Sequence, residues 1–253
     1  MPRELRLIAV PGIPEVERGA ALVDLLLAAI ARTHTLLQTG DILVIAQKIV
    51  SKSEGRAVPL ANVTPSARAQ QLAAEANKDP RLVELMLRES RAVLRVKPGI
   101  IITEHKLGFV MANAGIDQSN VPGGDDTALL LPQDPDASAR QLRDAVRNNT
   151  GAEIGVLIVD SFGRAWRHGV TGIAIGVAGL PALVDQRGNK DREGRVLKVT
   201  QVAAADELAA AASLVMGQAD EGTPAVLARG FHYALRESSI KELLRPEAED
   251  LFR

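Results

Sequence analysis

Short apolar runs alternate with amphipathic stretches along the chain, and the period of the pattern changes from segment to segment. Leu5–Val10, Ile42–Ala46, Ile154–Asp160, Gly172–Val177, Val196–Val202 and Pro224–Leu227 have strand length; Ala92–Val96, Ile100–Glu104 and Phe109–Asn113 add three strands in close succession. Helical spacing governs Ala20–Arg32, where Leu22, Leu25, Leu26 and Ile30 share a face, and also Ser66–Ala76, Pro80–Glu89, Ser138–Asn149 and Asp206–Met216. Ser66, Asp79 and Asp206 stand where side chains cap helices, and Pro80 suits a first helical turn. Ile240, Leu243 and Leu244 set a small apolar face on an expected C-terminal helix. Strands and helices mix without strict βαβ alternation, so the pattern predicts an α+β fold with mixed sheets and flanking helices. Asn120–Asp136, rich in Gly, Asp and Pro, reads as a mobile surface loop whose four aspartates face solvent.

Composition narrows the class. The 253 residues are enough for one large domain or two small lobes. A net charge of −1 supplies no global field for nucleic acid or an anionic membrane. Aromatic residues make up only 2%, which argues against base stacking on an aromatic platform. The chain has no cysteine, so disulfides, thiolate metal sites and cysteine nucleophiles are excluded, and a reducing cytoplasm is the expected location. No signal peptide is visible at the start, and no apolar run reaches the ~20 residues of a membrane span.

Two acidic segments carry the chemistry: Asn113–Asn120 and Asp160–Arg164. Each closes an apolar run and is read as a turn, placing Asp117 and Asp160 at strand ends. Two carboxylates with Ser and amide oxygens nearby suit a hard divalent cation; a turn and nothing more is the plainer reading of each taken alone. Lys48 and Lys52, four apart, lie on one side of either a strand or a helix, where they meet phosphate or simply solvent. Gly217 and Gly222 have Walker spacing, but Thr223-Pro224 replaces the Lys-Ser/Thr, and Gly172–Gly179 lacks the dinucleotide spacing. Met216–Gly222 follows a helix C-terminus, which favours cations, and adds oxygen donors at Gln218, Asp220 and Glu221. No histidine forms an HxH or HExxH pair. His168 falls in the basic cluster Arg164-Ala-Trp-Arg-His168, a candidate contact for an anionic substrate through Arg164, Arg167 and His168; Trp166 there reads as packing.

Taken in order, Val10–Pro14, Gly40–Val44, Gln47–Lys52 with Glu54-Gly55, Asn113–Asn120, Asp160–Arg164, Ala174–Gly179, Ala205–Glu207 and Met216-Gly217 resemble the coenzyme F420-0:γ-glutamyl ligase family over nearly the whole chain. That family joins L-glutamate to the deazaflavin coenzyme F420-0 with GTP and divalent metal, first at the lactyl carboxylate and then through γ-linkages. The resemblance implies GTP contacts at Ile13, Pro14, Glu15, Val16, Gln47, Lys48, Lys52 and Asn120, and a nucleotide wall at Leu214, Val215, Met216, Gly217, Gln218, Ala219, Asp220 and Glu221. It implies a first Mg²⁺ or Mn²⁺ on Asp117 and Asp160, a second on Ser161 and Gln218, and K⁺ as a further candidate. Lys52, Asp117 and Asp160 become the catalytic set. Ser161 stands where Thr is common, and Gln218 where some members carry Glu, which lowers the charge at the second metal. The family fold is α+β and forms an interwoven homodimer. Residues 1–230 are then the ligase domain in two interleaved lobes, and 231–253 a helical tail with no nitroreductase-like second domain. A related amide ligase with another acceptor or amino acid, and a nucleotide-binding regulator without catalysis, are the competing readings.

Overall fold

The computed structural model describes residues 3–121 and 123–250. In chain order the elements are β1 (Arg6–Ala9), α1 (Leu22–Arg32), β2 (Ile42–Ala46), α2 (Gln47–Ser53), β3 (Ala57–Pro59), α3 (Ala67–Ala76), α4 (Pro80–Glu89), β4 (Ser90–Lys97), β5 (Ile100–His105) and β6 (Val110–Ala112). There follow β7 (Thr127–Leu129), α5 (Pro135–Thr150), β8 (Gly155–Arg164), β9 (Arg167–Ala178), β10 (Val184–Asp185), β11 (Gln201–Val202), α6 (Ala204–Met216) and β12 (Ala225–Arg229). The α+β class expected from the pattern is the one observed.

The main sheet has the order β1-β12-β2-β8-β9, with β2 parallel to β8 and the other neighbours antiparallel. Ile42–Ile45 and Val156–Ile158 are fully buried, which is why β2 and β8 read as continuous apolar runs without alternation. A second sheet, β4-β5-β6, is antiparallel and carries α3 and α4. Its own buried cluster includes Ala69, Ala73, Ala76, Val83, Met86 and Ile101. Two-stranded pairs β3-β7 and β10-β11 complete the strands. Ser66 caps α3 by accepting from Ala69 N, Asp79 caps α4 by accepting from Arg81 N, and Pro80 opens that helix. Among the described residues no helix is long and apolar enough to cross a membrane.

The glycines of Gly172–Gly179 serve packing. A Cβ at Gly172 would lie 2.4 Å from the Ala209 carbonyl oxygen of α6, and one at Gly176 2.5 Å from the Pro135 backbone of α5. Residues four apart on a regular strand share a face, but β9 has a bulge between the Ile158–Gly176 and Val159–Ala174 pairs. The bulge reverses the facing, so each glycine admits a different helix.

Several expectations are corrected. Asp160–Arg164 is no turn: β8 runs through it, because β9 pairs with it from Ser161↔Gly172 to Arg164↔Arg167, with one register shift before the last pair. Asp206 does not cap α6, which starts at Ala204; its carboxylate instead accepts from Ala174 N at 2.9 Å, on the edge strand β9. Val196–Val202 forms a strand only at Gln201–Val202, with a lone bridge from Val196 to Lys190, since Val196 and Val199 are exposed and have no apolar face to cover. The expected C-terminal helix is a single 3-10 turn, Ile240–Leu243, with a second at Glu247–Glu249 after Pro246. Asn120–Asp136 is not a solvent loop throughout: it contains β7 and the fully buried Leu129 and Leu131. Asp134 caps α5, which therefore begins before Ser138. Asp136 is buried and accepts from Val177 N, Ser239 Oγ and Ile240 N. Asp125 and Asp126 are exposed as expected, and Pro122 lies outside the described residues.

Candidate active site

The site forms where the two sheets meet, beyond the C-terminal ends of the parallel pair β2 and β8. That is the edge where α/β-type sheets collect polar groups. β2 runs directly into α2, which buries Gln47, Ile49, Val50 and Ser51 and leaves Lys48 and Lys52 one turn apart on its other side. The choice between strand and helix at Gln47–Lys52 is thus settled as helix. Across from α2, β6 ends in the 3-10 turn Asn113–Gly115. Asn113, Ala114 and Gly115 take left-handed φ values of 53°, 52° and 65°, a strained run for non-glycine residues. Asn113 is fixed by accepting from Ile101 N, and Ala114 is fully buried. Asp117 follows and bridges to Leu129 of β7.

The turn delivers the Asp117 carboxylate to Lys48, with Nζ and Oδ2 2.7 Å apart. Lys48 Nζ also donates to Ser119 Oγ at 2.8 Å and to the Ser119 carbonyl at 3.1 Å. Ser119 in turn donates from both N and Oγ to Asp117 Oδ1, each at 2.7 Å. Burial works against the charge on Asp117, but the bonds from Lys48 and Ser119 outweigh it and leave the pKa lowered. Asp160, on β8, behaves oppositely. Burial pushes it up to about 7; the Ser161 N–H opposes the shift, Asp117 adds to it and Lys48 opposes it. The two carboxylates therefore lie close enough to feel each other and the same lysine. A T-shaped contact between Phe109 and Phe162, centroids 5.9 Å apart, braces β8 against the segment leading into β6.

Lys52 pairs elsewhere, with Glu15 at 2.5 Å in the loop after β1, and is itself well covered. Neither lysine is the free solvated cation of the plainer reading. Gln47 is buried; its Oε1 accepts from Ser51 Oγ at 2.8 Å while its Nε2 has no partner. Ser161 Oγ donates to Gln218 Oε1 at 2.8 Å, so the two residues expected at a second metal already touch. Asn120, also left-handed, donates from Nδ2 to the Ala219 carbonyl at 3.4 Å, joining the Asp117 segment to the loop after α6. In that loop the Glu221 carboxylate accepts from Ala219 N at 2.8 Å and folds under Gly217. Backbone N–H groups of Ala219, Glu221 and Gln218 lower its pKa.

The remaining wall residues differ in kind. Leu214 is exposed, Val215 packs against the main core, Met216 is buried in it, and Asp220 is exposed. Ile13 leans on the core and Val16 is buried, so within Ile13–Val16 only Pro14 and Glu15 are open. Arg164, Arg167 and His168 are not gathered at the carboxylates but stand further along the β8–β9 hairpin, exposed. Ser119 was not singled out from sequence. Its signal was the Asp-x-Ser spacing, in which a carboxylate accepts from the N–H two residues on.

Among the described residues no three His, Asp or Glu side chains are grouped to hold a metal. Two carboxylates are what a Mg²⁺-type ion needs when phosphate oxygens and water complete its shell. A divalent cation would also relieve the burial of charge at Asp160, and the unpartnered Gln47 Nε2 is a donor awaiting an acceptor. The donor set fits a metal–nucleotide pair.

Comparison with known proteins gives the class first: these are ligases. The family model described as F420-0:Gamma-glutamyl ligase matches residues 12–230. The coenzyme F420:L-glutamate ligase of Methanothermobacter thermautotrophicus is 48% identical over 98% of this chain and 99% of its own. Its namesake in Methanopyrus kandleri is 46% identical over 98% of both, and that of Haloarcula marismortui 42% identical over 98% and 96%. The chain belongs to the F420-0:gamma-glutamyl ligase family.

Proposed function

We propose that this protein joins L-glutamate to the carboxylate of F420-0, then extends the tail through γ-linkages, with GTP as the energy source and Mg²⁺ or Mn²⁺ as the metal. The names of the similar ligases support the substrates, and the Lys48–Asp117–Asp160 constellation is the observation that carries the chemistry. A free carboxylate is a poor acyl donor, so an oxygen must first be made into a leaving group. Transfer of the γ-phosphoryl group of GTP to the acceptor carboxylate does this and yields an acyl phosphate. The amine of glutamate then attacks the acyl carbon and phosphate departs.

In this reading Asp117 and Asp160 would hold the metal, which would supply positive charge to offset that of the phosphates. Ser161 and Gln218 hold a second ion, and K⁺ remains a further candidate. Lys52 exchanges Glu15 for the terminal phosphate, and Lys48 and the Gln47 amide donate to the nucleotide. Pro14 and Glu15 line the nucleotide on one side, and Asn120 with Gln218–Glu221 on the other. The protein works as a homodimer.

The test follows an oxygen. F420-0 labelled with ¹⁸O in its lactyl carboxylate is incubated with GTP, Mn²⁺ and glutamate, and the products are resolved by mass. One label is expected in inorganic phosphate and one in the new amide, with a hydroxamate trapped when hydroxylamine replaces glutamate. Unlabelled phosphate beside normal amide would rule out the acyl phosphate; label in GMP with release of pyrophosphate would mean nucleotidyl transfer.

A further inference from the structure

The Lys48 ammonium has an oxygen for each of its protons. Asp117 Oδ2 lies 2.7 Å from Nζ, Ser119 Oγ 2.8 Å and the Ser119 carbonyl oxygen 3.1 Å. Ser119 closes the ring from the other side, because its N and Oγ both donate to Asp117 Oδ1 at 2.7 Å. The two oxygens of one carboxylate are thereby given different work: Oδ1 is taken up within its own turn, and Oδ2 faces the cation. The serine hydroxyl spends its proton on Asp117 and a lone pair on Lys48, so it fixes both charges at once. The same ammonium is within electrostatic reach of Asp160. With 27% of the Lys48 side chain and 29% of the Asp117 side chain exposed, each charge leans on the other more than on water. Lys52, one turn along α2, is engaged with Glu15 instead.

Two conflicts follow for a site that takes metal and nucleotide. With Oδ1 already accepting two hydrogen bonds, Oδ2 is the oxygen left for a divalent cation, and an ammonium sits on it. A lysine whose protons are all committed also has none to offer a phosphate. One movement resolves both. Resting on the metal–nucleotide reading above, we propose that Lys48 is the resident counter-ion of the metal site and that Ser119 is the positioning residue that governs its exchange. The ammonium neutralises Asp117 until metal and nucleotide arrive together. It then cedes Oδ2, stays tethered to the Ser119 hydroxyl and carbonyl, and turns the freed proton to a phosphate oxygen. Metal alone would displace an ammonium that has no replacement acceptor, whereas nucleotide supplies one, and a charged one. Metal and nucleotide therefore tighten each other, by the same factor in both directions. A compact ammonium on a flexible stem suits this small transfer, which a planar guanidinium fork would not make.

Binding, not turnover, is the readout. Mn²⁺ is titrated into the full chain and followed by electron paramagnetic resonance, which reports the free ion, and GDP binding is measured by calorimetry with and without Mn²⁺. Lys48→Met should bind Mn²⁺ alone about tenfold or more tightly than wild type, and Ser119→Ala about threefold or more tightly. Ser119→Thr, which keeps the hydroxyl, and Lys52→Met, which removes a cation paired elsewhere, should each stay within about twofold of wild type. The factor by which Mn²⁺ tightens GDP should fall at least about fivefold in Lys48→Met. The sign discriminates, because a residue that merely shapes the turn would weaken the metal when removed. Ser119→Ala, the smaller change, carries the test should Lys48→Met not fold. Unchanged or weaker Mn²⁺ binding in either variant, in a protein whose wild type binds Mn²⁺ with GDP, would overturn the exchange and leave the function standing. An equal gain in Lys52→Met would mean that loss of any nearby cation suffices, and would also overturn it. If the wild type binds no GDP with or without Mn²⁺, the functional reading fails, and the Mn²⁺ titrations alone judge the exchange: gains in Lys48→Met and Ser119→Ala uphold it, and no gain ends it.

Discussion

Asp117 and Asp160 carry the same functional group in opposite surroundings. One is held charged by a lysine and a serine; the other is pushed up to about 7 by burial. Neither shift was legible in sequence, because the Lys48 bond to Asp117 and the burial of Asp160 are both set by the tertiary fold. The identities were legible, since Asp beside Gly and small polar residues after an apolar run marks a candidate metal site. Asp117→Asn and Asp160→Asn keep size and remove charge, so turnover is expected to fall by at least roughly a hundredfold while the circular dichroism spectrum is retained. Near-normal rates at limiting metal would sink the assignment. Lys52→Ala should weaken GTP more than GDP, by about 1.5–3 kcal/mol if the amine reaches the terminal phosphate. Glu15 sharpens this expectation, because the variant leaves that carboxylate unpaired beside the nucleotide. Calorimetry with both nucleotides decides; equal losses would move Lys52 away from the γ-phosphate.

Elements were read better than their ends. Ile42–Ala46 and Pro80–Glu89 appear with the expected bounds, since a buried run and a proline after a capping aspartate are local signals. Asp206 misled because its role is tertiary: a carboxylate in the first turn of α6 looks like a cap until β9 is known to pass beside it. The Asp160–Arg164 segment misled for a similar reason, as the strand is prolonged by its partner and not by its own apolar content. Gly172 and Gly176 illustrate a signal that was present but ambiguous, for glycine clusters serve phosphates and close packing alike. Here they admit α6 and α5. Gly172→Ala and Gly176→Ala should each destabilise the fold by roughly 1–3 kcal/mol, because backbone lies where the methyl must go. Urea unfolding midpoints measure this; a neutral Gly176→Ala would mean that α5 can retreat from β9 at no cost.

Across the whole molecule, the β4-β5-β6 layer is tied to the β3-β7 region through a small ionic cluster. Arg56, just before β3, donates to the Leu131 carbonyl and to Glu89 at the end of α4, and His105 at the end of β5 lies 3.8 Å from the same carboxylate. His105 accepts from Leu107 N, and its Nε2 is buried without a partner. Burial, then Arg56, Lys106 and Arg91, lower its pKa to about 4. The folded protein thus keeps His105 neutral where the unfolded chain, at about 6.5, takes up a proton. Its contribution is fully present above pH 6.5 and is lost as pH falls toward 4, roughly 3 kcal/mol in all. His105→Gln, which keeps an acceptor for Leu107, should flatten this part of the stability profile relative to wild type; parallel profiles between pH 6.5 and 4 would contradict it. The two-sheet arrangement itself was only half legible, because apolar periodicity reports what is buried and not which sheet buries it.

The aspartates on β9 bear on assembly. An edge strand with free outward N–H groups invites another copy to extend the sheet. Between Ala174 and Val177 that invitation is withdrawn, for Asp206 and Asp136 already occupy the N–H groups from the two flanking helices. Asp136 is further committed to Ser239 and Ile240, so releasing it would also loosen the C-terminal segment. Continuous edge-to-edge pairing there would have to break both carboxylate bonds. Along this border a second copy of this chain would have to be met through side chains or through the open hairpin beyond, and edge-to-edge growth into fibres is discouraged there.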